Sequence, residues 1–73
     1  MNNPPLKKLR ELRKKRSLTT TDMAEKLGMS QSMYSYIEIG SKRLSYEVAV
    51  AIAEIFETNP DELFYDDYVA FYE

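Results

Sequence analysis

All ten lysines and arginines of this 73-residue chain fall within residues 1 to 43, where they meet only four acids, Glu11, Asp22, Glu25 and Glu38, for a net charge of +6. Residues 44 to 73 invert the sign, with eight acids and no base. The chemistry open to the first half is the holding of phosphate. That chemistry follows the local field and not the overall charge of −2, so a basic half joined to an acidic half is compatible with nucleic-acid binding. Other chemistry is scarce. With no cysteine and no histidine there are no disulfides, thiolate nucleophiles, imidazole bases or zinc sites of the usual ligand types, so no cofactor or metal is expected and an enzyme is a distant reading.

Helices must position these charges. Residues 18 to 40, LTTTDMAEKLGMSQSMYSYIEIG, read as two short helices joined by a glycine turn. Thr19 is a good N-cap with Asp22 three positions on, and Met23, Ala24 and Leu27 share one face, which predicts a helix from about Thr20 to Leu27. Gly28 can take φ > 0 and end it; Ser30 can cap a second helix whose inward face holds Tyr34 and Ile37. Ala24 is small where the two must cross. Before them, Pro4 and Pro5 suit the opening of a helix that runs to about Lys15, with Leu6, Leu9 and Leu12 inward and its other faces basic.

After them, Ser45 caps a fourth helix to about Glu57 with Ala49, Ile52, Ala53 and Phe56 as its core stripe. Val48, Val50, Ala51 and Ile55 are apolar as well, which is more greasy surface than one small core uses, so a partner or a returning tail is expected to cover part of it. Asn59, Pro60 and Glu62 read as N-cap, N1 and N3 of a fifth helix with Leu63 and Phe64 inward. The last nine residues, YDDYVAFYE, are acidic and aromatic. They either continue the helix, with Phe64, Tyr68, Phe71 and Tyr72 on one face, or form a short strand over Tyr68 to Tyr72 that pairs between two chains.

The whole, residues 1 to 73, is expected to be one domain burying about 60% of its unfolded surface, with a stability of a few kcal/mol. No apolar run reaches the roughly 18 residues of a membrane span, and the polar start MNNPP lacks the order of a signal peptide, so a cytoplasmic location without membrane contact is expected.

With LKKLRELRKK, LTTTDMAEKLGMSQS, IE, GSKR and NPDELF at these spacings, the chain resembles the XRE-type, Cro-like phage-repressor helix-turn-helix family over about residues 6 to 64. The resemblance implies an all-α, five-helix lambda-repressor-like DNA-binding domain, with its helix-turn-helix core at residues 19 to 39 and a short aromatic, acidic tail at 65 to 73. It also implies a sequence-specific transcriptional regulator, a repressor, whose partner is double-stranded DNA. Gln31 and Ser32 match the family's base-reading positions: the Gln31 amide can make two bonds to adenine N6 and N7, and Ser32 can bond almost any base edge. Met33, as a contact for a thymine methyl, and Ser35 come next.

Phosphate contacts fall to Thr20 and Thr21 at the second helix's N-terminus and to Lys42 and Arg43 in the loop after the third. Arg13 and Glu38 match a pair that bridges the first and third helices. Three positions depart from the family's habit. Thr20 replaces a frequent glutamine, Tyr36 stands where a basic or amide side chain is common, and Ile39 stands where asparagine is. Tyr36 can still donate to a phosphate or pack on a sugar; Ile39 can do neither polar job.

One reading helix covers few base pairs, so specificity calls for two, about 34 Å apart on a palindromic operator, and hence a homodimer. The basic half must stay free for DNA. The interface is therefore expected in the acidic half, at Val50, Ile55, Phe64, Tyr68 and Phe71. The alternative is an antitoxin or protein-interaction module of a toxin–antitoxin or phage regulatory system, with a protein partner on the acidic aromatic tail.

Overall fold

Short-range signals set most of the helix starts in the computed structural model, which describes residues 6–64; these form five helices and no strand. Helix α1 (Lys7–Lys15) has no side-chain cap. The Leu6 N–H at its start donates instead to the Glu38 carbonyl, 2.9 Å away, tying the start of the helix to a segment far along the chain. Pro4 and Pro5 lie outside the described residues. Three cations, Arg13, Lys14 and Lys15, occupy the last turn, where the helix dipole favours them.

Helix α2 (Thr20–Leu27) opens on a complete capping box: Thr19 Oγ1 accepts from the Asp22 N–H at 3.0 Å, and Asp22 Oδ2 accepts from the Thr19 N–H at 2.9 Å. It ends at Gly28, φ 69°. A Cβ there would touch nothing within 4 Å, so glycine is required for its backbone angle and not for space. Ser30 caps helix α3 (Gln31–Ile39) through the Met33 N–H, and Ser45 caps helix α4 (Tyr46–Ile55) through the Val48 N–H. Each such cap contributes about 1 kcal/mol. Helix α5, residues 60–64 as described, starts with the Glu62 N–H on Asn59 Oδ1 at 2.8 Å.

Helix α2 packs on α3 and α4, and α1 on α3. The core they enclose is Leu6, Leu9, Met23, Ala24, Tyr34, Ile37, Ala49, Ile52, Ala53, Phe56, Leu63 and Phe64. Ala24 lies buried where a larger side chain would push α2 off its neighbours. Lys8 Nζ reaches the Glu62 carbonyl at 2.8 Å and ties α1 to α5, while the Arg16 guanidinium stands 5.7 Å from the centre of the Phe56 ring.

Two expectations need correction. Helix α4 stops at Ile55, two residues before Glu57, because Phe56 turns into the core and Glu57 takes a left-handed φ of 56°. The Thr58 N–H then folds back on the Ala53 carbonyl and closes the helix end. Phe64, expected at a dimer interface, is fully buried in the core of the single chain, so no face of it is left for a partner. On α4, Val48 and Ile55 are half-buried and packed against the core, and Val50 and Ala51 are half-buried as well. The exposed large hydrophobic side chains among the described residues are Met33, Tyr36 and Ile39 on α3 and Tyr46 at the start of α4.

Candidate nucleic-acid interface

Helix α3 is oriented by what it buries. Tyr34, Ile37 and Glu38 face inward at i, i+3 and i+4, which leaves Gln31, Ser32, Met33, Tyr36 and Ile39 exposed and Ser35 half-buried. The residues expected to read bases thus share the outward side, Ser35 lying under the others. Ile39 forms one wall of a small groove with Leu6, Lys7, Arg10 and Glu38.

Gln31 does not project freely. Its Nε2 lies 2.9 Å from Thr20 Oγ1, on the first residue of α2, and 2.8 Å from Ser35 Oγ, one turn along α3. Thr20, expected on a phosphate, therefore also touches the leading candidate base reader. The Ser35 contact is an i, i+4 pair visible in the sequence. The Thr20 contact exists only because α2 and α3 cross there.

At the α2 N-terminus Thr21 is exposed and Thr20 half-buried. The first amides of the helix have no partner within it and favour an anion. Asp22 shares this end: the Thr19 backbone N–H, and then the Thr19 hydroxyl, hold its carboxyl below the usual aspartate range, and a carboxylate there offsets part of the helix's attraction for phosphate. The loop after α3 is folded back on its own helix, the Ser41 and Lys42 N–H groups both donating to the Tyr36 carbonyl at 2.8 and 3.0 Å. Lys42 and Arg43 are exposed on that loop.

The arrangement is held from behind by Arg13 and Glu38. Arg13 Nε and Nη2 donate to the two Glu38 oxygens, each at 2.9 Å, and Nη1 donates to the Leu18 carbonyl at 2.8 Å. One guanidinium thus joins α1, the segment leading into α2, and α3. Both side chains are buried, and the paired carboxylate raises the Arg13 pKa against the effect of burial. Beside them, the Tyr34 hydroxyl is the buried side-chain polar atom without a hydrogen-bond partner among the described residues; burial first, and then the Glu38 carboxylate, push its pKa up.

Of the remaining expected residues, Val50 and Ile55 are half-buried on α4, and Tyr68 and Phe71 lie outside the described residues. Tyr46 carries no mark in the sequence beyond following the Ser45 cap, yet it is 72% exposed, three residues past Arg43. Among the described residues no helix is long and apolar enough to cross a membrane, and no group of His, Cys, Asp or Glu is placed to hold a metal.

A family model described as helix-turn-helix matches residues 9–63. The HTH-type transcriptional regulator AnsR of Bacillus subtilis (strain 168) is 40% identical over 58 residues, which cover 80% of this chain and 50% of that one. The uncharacterized HTH-type transcriptional regulator YqaE of the same organism is 34% identical over 55 residues, 75% of this chain and 47% of its own. A putative HTH-type transcriptional regulatory protein of Pyrococcus furiosus is 42% identical over 50 residues, 68% of this chain and 16% of its own. The chain spans about half the length of the Bacillus relatives it matches. No solved structure gives a significant match. With the glycine-linked α2 and α3 at its centre and the matching model covering most of its length, the chain belongs to the XRE-type helix-turn-helix family.

Proposed function

We propose that this chain is a sequence-specific DNA-binding transcriptional regulator that places α3 in the major groove. The observation that carries the reading is the outward face of α3: Gln31, Ser32 and Met33 stand exposed between the anion-favouring start of α2 and the Lys42–Arg43 loop. Base edges fall to Gln31, Ser32 and Met33, with Ser35 beneath them, and phosphates to Thr20, Thr21, Tyr36, Lys42 and Arg43. A protein seated in the groove excludes others from that stretch of duplex, and so the regulator is read as a repressor, acting in the cytoplasm.

Selection of bound duplexes from random DNA tests this directly, followed by Gln31→Ala on the best site. The substitution is expected to weaken binding by about 1 to 3 kcal/mol and to relax preference at one position per half-site. Full affinity and full selectivity in the variant would reject the assignment.

Two reading helices are needed for useful specificity, so the chain is proposed to act as a homodimer on a palindromic operator. The part of α4 around Val50 and Ile55, with Tyr68 and Phe71 of the tail, supplies the contact in this reading, while the basic half faces the duplex. Sedimentation of the chain with residues 66–73 deleted checks it: loss of the dimer is expected, and a dimer that survives undiminished takes the tail out of the interface.

A further inference from the structure

We infer that Gln31 is locked as a hydrogen-bond acceptor, so that it selects an exocyclic amine on the base it meets and does not span adenine with two bonds. The inference rests on the reading of α3 as the groove-facing helix. A glutamine amide has two donor protons on Nε2 and two lone pairs on Oε1. Both protons are spent within the protein, on Thr20 Oγ1 at 2.9 Å and Ser35 Oγ at 2.8 Å, distances of good hydrogen bonds. What an exposed Gln31 still offers outward is Oε1.

In the major groove an acceptor is satisfied by the N6 amine of adenine or the N4 amine of cytosine, whereas guanine and thymine present acceptors of their own. Spanning adenine would require Nε2 to leave Thr20 or Ser35 and turn to N7. The two hydroxyls come from different helices, so the crossing of α2 and α3 holds the end of the Gln31 side chain in place before DNA arrives, and less side-chain freedom is lost on binding. Thr20 and Ser35 are then positioning residues for Gln31. This differs from the two-bond contact with adenine expected from the sequence.

Two measurements test it, one without DNA. In the free protein the Gln31 side-chain amide protons are expected to exchange with solvent more slowly than those of an unlocked side chain. That protection is lost in Thr20→Val with Ser35→Ala and retained in Thr20→Ser with Ser35→Thr. An amide as unprotected in the unsubstituted protein as in the hydroxyl-free variant refutes the lock.

With DNA, selection is expected to enrich adenine and cytosine at one position per half-site. On a selected adenine site, purine, which lacks the N6 amine, should lower affinity about tenfold, while 7-deazaadenine, which lacks the N7 acceptor, should leave it within about twofold. The hydroxyl-free variant should become sensitive to the loss of N7. Enrichment of adenine alone, with equal losses from both analogues, overturns the inference in favour of two-bond reading. Enrichment of guanine or thymine overturns it by showing the donors outward. If no sequence is enriched, the reading of α3 as a base reader fails, and the base-edge claim with it, while the exchange measurement still decides the lock.

Discussion

Glu38→Ala removes the group that anchors the reading helix, and the geometry sets the size of the loss. Arg13, a residue only 8% exposed, would lose both guanidinium bonds to the carboxylate and keep only the one to the Leu18 carbonyl. An exposed pair contributes about 0 to 1 kcal/mol, but a buried cation stripped of its partner costs about 3 to 5. Burial of both partners puts this pair in the second class. The long arginine stem lets the guanidinium swing toward water, so the lower end applies, about 3 kcal/mol. A domain of 73 residues has only about 4 to 11 kcal/mol in all, and at this size each kcal/mol is about 4 to 8 °C of Tm. The expected fall is therefore at least about 12 °C. Urea unfolding followed by circular dichroism, with an unchanged m-value, measures it. Arg13→Met with Glu38→Leu should be more stable than either Arg13→Met or Glu38→Ala, since no charge is then left buried alone. At low temperature the folded fraction of Glu38→Ala should keep its base preference. A loss under about 1 kcal/mol refutes the argument, and an unchanged Tm with altered base preference would move Glu38 to the DNA surface.

Lys42→Ala and Arg43→Ala are expected to weaken binding to all duplex sequences alike and each to reduce the slope of log affinity against log salt by about 0.9, read from titrations at several ionic strengths; a salt-independent interaction would argue for a protein partner. Glu57→Gly should stabilise the fold. The left-handed φ of 56° strains an L residue by about 1 to 2 kcal/mol, and glycine returns about 0.5 to 1 of that to the unfolded chain, for a net gain of about 0.5 to 1 and a Tm raised by a few degrees. A lowered Tm would show that the Glu57 side chain contributes more than its backbone angle costs.

The starts of α2, α3, α4 and α5 could be read from the sequence because their causes are local. Thr19, Ser30, Ser45 and Asn59 each satisfy an N–H three residues on, and the inward faces of α2 and α3 follow from spacing within two turns. The charge split and the family resemblance likewise need no coordinates, and together they pick out the outward residues of α3 before any fold is drawn. What depends on elements crossing was not legible. The end of α4 rests on a non-glycine residue, Glu57, held left-handed while Phe56 enters the core. Phe64 looked available to a partner from its place beside an aromatic tail, yet packing claims all of it. The third Arg13 bond, to Leu18, and the hold of Thr20 on Gln31 appear only once three helices meet. A hydrogen bond within one turn is decided by neighbouring residue types, whereas one across 11 residues is decided by where two helices cross, and that crossing is set by the whole core at once.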